Sequence, residues 1–222
     1  SGNLKKAFDY SKKLEKQKLD TVESQMIIGI FYLKNSNVDL AKKYFYKAKK
    51  KNAKSILTNY LSNSFYNWSN LRNNKLNIAT LELNELDERF ENLKKIQIVF
   101  LNCYYNSSKI NNLFEELISN KKTDFSRYNY FYASYLANSG KIDKAKDIIN
   151  SALKLYPRNL LLNQYKLDLN REKNTSSFNC KNEKHIIAEI LYIASNALSS
   201  QSMYSLSDFY LNLAKYLNKD FR

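Results

Sequence analysis

The residue pair best suited to metal chemistry is Cys180 and His185, which are spaced as Cys-x4-His. A structural zinc site needs four ligands, and two further ligands are not evident in the sequence. His185 is also the only histidine of the chain. We therefore expect no metal site, and we interpret His185 as a surface residue near the start of a helix.

A cluster of acidic residues is the second candidate for chemistry, because carboxylates serve in acid–base catalysis and bind cations. It comprises Glu82, Glu85, Asp87, Glu88 and Glu91. Their helical spacing beside Arg89, Lys94 and Lys95 predicts a solvated helix face with ion pairs along the helix. The sequence contains no glycine-rich phosphate loop, no Ser/His/Asp set and no Cys/His nucleophile arrangement. We therefore expect neither an enzyme nor a cofactor.

The two cysteines carry little information by themselves. Cys103 lies inside an apolar helical pattern, which favours a small buried hydrophobic residue, and Cys180 lies in a polar stretch. Two cysteines at this separation do not decide the redox compartment.

The net charge of +15 indicates an acidic partner, such as nucleic acid, an anionic membrane or an acidic protein. The excess is uneven, since residues 1–54 contain 14 lysines and only 5 acidic residues. A second explanation stays open, because heavy use of Lys, Asn, Ile and Tyr is also what an AT-rich genome produces.

The most basic stretch is the helix predicted over residues 41–54. Its basic patch comprises Lys42, Lys43, Lys47, Lys50 and Lys51. Basic residues interleaved with aromatic ones can mark nucleic-acid binding. Here Tyr44 and Phe45 fall on the packing stripe, so we interpret the interleaving as structural. Lysine is also a poorer group than arginine for bidentate recognition of phosphates or bases, and nucleic acid is therefore not the expected partner.

Residues 128–157 predict two amphipathic helices joined by a turn at Ser139-Gly140. The small residues Ala133, Ala145 and Ala152 lie where two helices would cross closely. Pro157 ends the second helix, because it lacks an N–H group and restricts the residue before it.

Counted from Ser126, these residues occupy the packing positions of a unit of about 34 residues, and the set resembles the tetratricopeptide repeat. A second copy begins at Val22, with Gly29 and Ala41 at its small positions. Degenerate copies follow over residues 56–88 and 93–120. In the degenerate copy over 56–88, the second helix is expected to run through Leu76, Ala79, Leu83, Leu86 and Phe90.

The resemblance implies an all-α fold, a right-handed superhelix of about five to six repeat-like helical pairs in a single domain over residues 1–222. Residues 4–17 match the second helix of an incomplete repeat, so we expect the chain to be part of a longer one. A loop is expected over residues 173–182, before a last pair at about 183–199 and 202–218. That pair is similar to the C-terminal part of large alphaproteobacterial repeat proteins. This likeness favours the bacterial periplasm, with the cytoplasm as the alternative.

The same resemblance implies a non-catalytic protein–protein interaction scaffold that binds a peptide or helix in its concave groove. The predicted groove residues are Tyr60, Asn67, Ile98, Asn102, Tyr105 and Tyr130. Two alternatives stay open: these residues pack against neighbouring repeats, or the basic patch binds an acidic partner or nucleic acid. No run of about 18 apolar residues occurs, so we expect no transmembrane segment. The sequence does not indicate an oligomeric state.

Overall fold

The protein is helical throughout the part of the chain that the computed structural model describes, residues 2–51, 53, 55–120, 123–171 and 178–220. The α-helices of these residues are α1 Gly2–Lys16, α2 Val22–Lys34, α3 Val38–Lys50, α4 Ile56–Ser69, α5 Leu76–Asn84, α6 Glu91–Tyr104, α7 Ile110–Ser119, α8 Ser126–Asn138, α9 Ile142–Leu155, α10 Leu160–Asn170, α11 Glu183–Ser200 and α12 Tyr204–Leu217. Short 3₁₀ turns occur at Leu71–Asn73 and Glu88–Phe90. These residues contain no strand, which confirms the predicted all-α class.

Side-chain caps fix where several helices begin. Before α2, the Thr21 hydroxyl accepts a hydrogen bond from the Ser24 N–H, and the Ser24 hydroxyl accepts one from the Thr21 N–H. Such reciprocal bonds satisfy backbone donors that have no partner within the helix. Side-chain oxygens in the same role precede α3, α4, α10 and α11, at Asn37, Ser55, Asn159 and Asn182.

The helix predicted to continue through Phe90 ends earlier than expected. α5 stops at Asn84, and Asp87 begins the 3₁₀ turn by accepting a hydrogen bond from the Arg89 N–H at 3.0 Å. A short acidic side chain that bonds nearby backbone groups competes with helix continuation. The predicted acidic cluster is therefore not one helix face but is divided among α5, the 3₁₀ turn and α6.

The chain divides into two compact units. Unit 1 comprises Ser1–Leu101 and Asn182–Phe221, and unit 2 comprises Asn102–Lys181. The single superhelical domain over residues 1–222 stays a prediction. Of the predicted loop over 173–182, residues 173–177 lie outside the described residues, while 178–182 are non-helical as expected.

The α2–α3 pair shows why a glycine is needed in unit 1. Gly29 is buried, and a Cβ atom added to it would overlap the ring of Phe45 on α3. Phe45 in turn packs edge-on against Phe65 of α4, with ring centroids 5.5 Å apart. This confirms the prediction that Gly29 lies at a close helix crossing.

Helices distant in sequence also pack together in unit 1, since α11 contacts α4 and α12 contacts α2. Lysine side chains bind the C-terminal carbonyl groups of these helices. The Lys184 ammonium donates to the Lys34 carbonyl at 3.1 Å, and the Lys34 ammonium donates to the Leu217 carbonyl at 3.2 Å. The last helical pair thus packs on helices near the start of the sequence, which stacking between sequence neighbours alone would not produce.

Unit 2 contains the best repeat-like pair, α8 and α9. Ala133, Ala145 and Ala152 are buried in it, as predicted. The ring of Tyr132 stacks on Phe114 of α7, with centroids 4.9 Å apart. The small residues let the two helices approach, while the aromatic rings fill the space beside them.

A disulfide joins Cys103 and Cys180 within unit 2. This corrects the interpretation of Cys103 as an unpaired buried residue. The two cysteines are 77 residues apart in sequence, and their Cα atoms are 5.9 Å apart in the structure. Only the folding of unit 2 brings them together, so spacing in the sequence gave no sign of the bond.

Candidate functional site

Three of the predicted groove residues, Tyr60, Asn67 and Ile98, belong to unit 1. Tyr60 is 2% exposed, and its hydroxyl accepts a hydrogen bond from the Gln97 amide at 2.7 Å. Burial raises the pKa of Tyr60 above its ordinary value, although hydrogen bonds with Ser64 and Gln97 oppose the shift. Asn67 is also buried and donates to the Glu82 carbonyl at 3.1 Å, whereas Ile98 is half-buried.

The other three residues, Asn102, Tyr105 and Tyr130, belong to unit 2. Asn102 and Tyr130 are buried, and the Tyr130 ring meets that of Tyr165 edge-on at 4.8 Å. Tyr105 is half-buried beside Tyr104. Four of the six side chains are therefore buried. The continuous binding surface that the sequence suggested stays a prediction.

Unit 1 has a groove of about 360 Å³. It is lined by Leu57, Glu88, Arg89, Phe90, Glu91, Asn92, Leu93, Ile193, Ala194 and Ala197. The Phe90 ring separates the groove from Tyr60, since the two ring centroids are 4.5 Å apart. An apolar floor with a charged rim suits a few side chains of a peptide.

Unit 2 has a smaller cavity of about 240 Å³ next to the disulfide. Phe114, Phe131, Tyr135 and Phe178 supply aromatic walls, and Lys181 lies among its polar lining residues. This volume is below the roughly 300–1,000 Å³ of ordinary small-molecule pockets.

The structure gives no support to a site built on Cys180 and His185. Cys180 is bonded to Cys103, and a disulfide sulfur is not a thiolate ligand. Among the described residues, no group of three or more His, Cys, Asp and Glu side chains is placed to hold a metal ion. Burial lowers the pKa of His185, and the nearby Lys184 and Lys34 add to this against the opposing effect of Asp220.

The predicted basic patch on α3 divides between two sides of the helix. On the side toward α1, the Lys47 ammonium lies 2.5 Å from the Glu15 carboxylate, and the Lys51 ammonium lies 2.9 Å from that of Asp20. Burial alone would raise the pKa of Glu15, but hydrogen bonds from Lys12 and Lys47 bring it down to about 2. Lys47 and Lys51 are therefore both paired with carboxylates, although Lys47 shares Glu15 with Lys12.

The opposite side of α3 forms a basic–aromatic surface with α4. We define this surface as Lys42, Lys43, Tyr46, Lys49, Lys50 and Tyr66. The Tyr46 side chain is 45% exposed, and its ring centroid lies 5.4 Å from that of Tyr66. The Lys50 ammonium lies 5.5 Å from the centroid of Tyr46, and the Lys49 ammonium lies 4.9 Å from that of Tyr66. These are cation–π distances.

The lysines of this surface are not neutralised. Within the described part of the chain, Lys42, Lys43, Lys49 and Lys50 have no carboxylate within 4.0 Å. Asp39 is exposed one turn before Lys43, and Glu82 contributes to raising the pKa of Tyr66, after the larger effect of burial. A net positive charge remains around an exposed aromatic ring.

Sequence reasoning missed Tyr46 and Tyr66 as part of this surface. The interpretation that the aromatics of this helix lie on packing positions holds for Tyr44 and Phe45, which are buried, but is wrong for Tyr46. A helical period of 3.6 residues contains the signal, because Lys42, Tyr46 and Lys49 recur at i, i+4 and i+7 and so lie along one side of the helix, next to the buried stripe.

Comparisons of the chain with family models, with curated proteins and with solved structures found no match. None of the described helices is both long enough and apolar enough to cross a membrane.

Proposed function

We propose that this chain is a non-catalytic interaction scaffold, and that it binds an acidic segment of a partner protein on the basic–aromatic surface of α3 and α4. The observation that carries the proposal is the set of four lysines near the exposed Tyr46 that have no carboxylate partner among the residues that the structure describes. Positive charge steers an acidic partner to the surface, and tyrosine is enriched among residues that dominate binding energy.

The helical pairs support the scaffold part of the proposal. The pairs α2–α3 and α8–α9 carry buried small residues at the positions that the tetratricopeptide resemblance assigns to them. We infer from this resemblance a right-handed superhelix, whose rigid helices would hold the surface in place.

Two features favour a protein partner over nucleic acid. Single-stranded nucleic acids bind by stacking bases on exposed aromatic faces, and here Lys49 and Lys50 already lie over the rings of Tyr66 and Tyr46. The surface also contains no arginine for bidentate phosphate contacts. Carboxylates need only compact positive charges, which the lysines supply.

The groove beside Phe90 favours a second mode, in which unit 1 also takes up a peptide or helix. Ile193 and Leu57, both half-buried, offer it apolar contacts. This mode keeps the groove-binding function that the sequence suggested, with a different set of residues.

Binding of a fluorescent glutamate-rich peptide to the full chain, measured by anisotropy, tests the proposal. We expect affinity to fall steeply between about 0.01 M and about 0.15 M ionic strength, because exposed charges are screened. The double variant Lys43→Glu/Lys50→Glu should lose about tenfold or more in affinity. The matched control is Lys5→Glu/Lys6→Glu, which makes the same charge change at exposed positions of α1.

Three results would overturn the proposal. The first is equal loss of affinity in the control, which would show a response to net charge alone. The second is a single-stranded oligonucleotide of similar charge that binds more tightly than the peptide. The third is unchanged peptide affinity in Tyr46→Ala, because this result would show that the Tyr46 ring does not contribute to binding.

A further inference from the structure

The disulfide joins the two ends of unit 2. Cys103 is the second residue of this unit, and Cys180 is the last but one. Both are buried, with 2% and 8% exposure. Unit 2 is therefore a stretch of chain whose first and last residues are held together covalently.

Unit 1, in contrast, is built from two stretches that the whole of unit 2 separates in sequence. Its second stretch contributes α11 and α12, which pack on α4 and α2. Specific polar contacts accompany this packing. The Lys184 ammonium donates to the Ser36 hydroxyl at 2.9 Å, and the Arg72 guanidinium lies 3.5 Å from the Glu183 carboxylate. Unit 1 forms only when these two stretches meet.

The bond shortens the covalent path between the two stretches of unit 1. Without it, the path from Leu101 to Asn182 runs through all of unit 2. With it, the path runs through Asn102, the two bonded cysteines and Lys181. The entropy lost on bringing two chain ends together grows with the length of the connection, so a shorter path lowers the cost of folding unit 1.

We propose that the Cys103–Cys180 disulfide is a covalent latch for unit 1, and that the protein works in an oxidising compartment, where the latch stays closed. Structural disulfides persist in such compartments and are rare where thiols are kept reduced. Closing the latch removes two protons and two electrons from the thiols. A disulfide-donating oxidant of that compartment accepts them and becomes a dithiol.

The burial of both sulfurs supports a structural role over rapid exchange. An attacking thiolate must reach a sulfur atom to open a disulfide, and Cys103 and Cys180 are both almost fully buried. Once closed, the latch should open slowly while unit 2 is folded. Folded unit 2 by itself holds Cys103 and Cys180 close together, so the covalent path is lengthened in full only in the unfolded chain. Reduction should therefore lower the stability of unit 1 by raising the conformational entropy of its unfolded state.

The fluorescence of the single tryptophan of the chain measures the effect of the disulfide on the stability of unit 1. Trp68 belongs to unit 1, is buried, and its indole N–H donates to the Gln97 side chain at 2.7 Å. Its fluorescence therefore reports the unfolding of unit 1 alone. We expect the urea midpoint of this signal to fall when the full chain is reduced, with the unfolded-to-folded ratio rising about 100-fold. Cys103→Ser/Cys180→Ser should behave like the reduced wild type.

Reductant should have no effect on the double variant, which serves as the control for direct effects of the reagent. If that variant does not fold, reduced wild type against oxidised wild type gives the same comparison. An unchanged Trp68 midpoint on reduction overturns the latch. Two alkylatable thiols, trapped in the source cell before lysis, overturn the assignment of an oxidising compartment.

Discussion

At the scale of single residues, two neighbouring positions of α3 lie in opposite environments, one in the core and one at the surface. Phe45 is fully buried and defines the space above Gly29, while Tyr46 is exposed among lysines. One step along a helix turns a side chain by about 100°, which is enough to move an aromatic ring from the core to the surface. Consecutive residues of α3 therefore contribute to the core and to the proposed binding surface.

Gly29→Ala should destabilise the protein, although alanine is the better helix former by about 1 kcal/mol. The added methyl group would overlap the Phe45 ring, and overpacking costs about 1–3 kcal/mol. We expect a lower free energy of unfolding in urea. In the double variant Gly29→Ala/Phe45→Leu the two effects should be less than additive, and full additivity would show that Phe45 is not the obstacle.

His185 should make stability depend on pH below neutrality. Burial, followed by the nearby Lys184 and Lys34, lowers its pKa in the folded state despite the opposing Asp220. The unfolded chain then binds the proton more readily, so stability should be full above about pH 6.5 and fall as the pH drops below it.

The measurement is the urea midpoint as a function of pH, with His185→Gln as the control variant. Because His185 is the only histidine, its two imidazole C–H signals can also be followed in NMR spectra without overlap from another histidine. A pH dependence in this range that persists unchanged in His185→Gln would contradict the assignment.

At the scale of secondary-structure elements, a buried glutamine joins α4 to α6. The Gln97 side chain is fully buried; its carbonyl oxygen accepts from the Trp68 indole, and its amide donates to the Tyr60 hydroxyl at 2.7 Å and the Ser64 hydroxyl at 3.3 Å. Buried polar groups are costly unless they are paired. The network therefore fixes how these two helices meet.

Gln97→Leu should lower the free energy of unfolding by about 2–4 kcal/mol, because it leaves the Trp68 indole N–H without its acceptor and the Tyr60 and Ser64 hydroxyls without their donor. Gln201→Leu is the matched control at an exposed position of unit 1, where we expect a change within about 0.5 kcal/mol. Urea unfolding followed by circular dichroism measures both. Equal small effects in the two variants would show that the network adds little.

At the scale of the whole molecule, the last two helices of the chain pack against helices near its start, within unit 1. Unit 1 takes α11 and α12 from the end of the sequence and packs them on α4 and α2. Tyr210 of α12 is buried, and burial raises the pKa of its hydroxyl, an effect that Thr58 of α4 opposes. Contacts of this kind make one cooperative unit from distant stretches of sequence.

Tyr210→Ala should therefore reduce amide hydrogen-exchange protection in α2 and α4, far away in sequence, because removing a buried aromatic side chain costs about 3–5 kcal/mol. Protection of α8 and α9 in unit 2 should stay unchanged. Tyr204→Ala on the same helix is the control, since Tyr204 is exposed. Protection lost only within α12 itself would contradict the packing of unit 1.

The sequence by itself determined the all-α class, the helical pairs α2–α3, α8–α9 and α11–α12, and the buried small residues Gly29, Ala133 and Ala145, which the structure confirms. These features depend on residues within one or two turns of each other, and a period of 3.6 residues makes them readable. The early end of α5 at Asn84 was missed because a single capping side chain, that of Asp87, overrode the apolar period.

Only the tertiary structure determines which helix faces pack against each other. In the folded protein Tyr60 and Tyr130 are buried, while Tyr46 is exposed. Helix α11 packs on α4, helix α12 packs on α2, and Cys103 is bonded to Cys180. Each of these outcomes depends on residues tens of positions apart. A helix with apolar residues on more than one side has several faces it could bury, and its neighbours in space select among them.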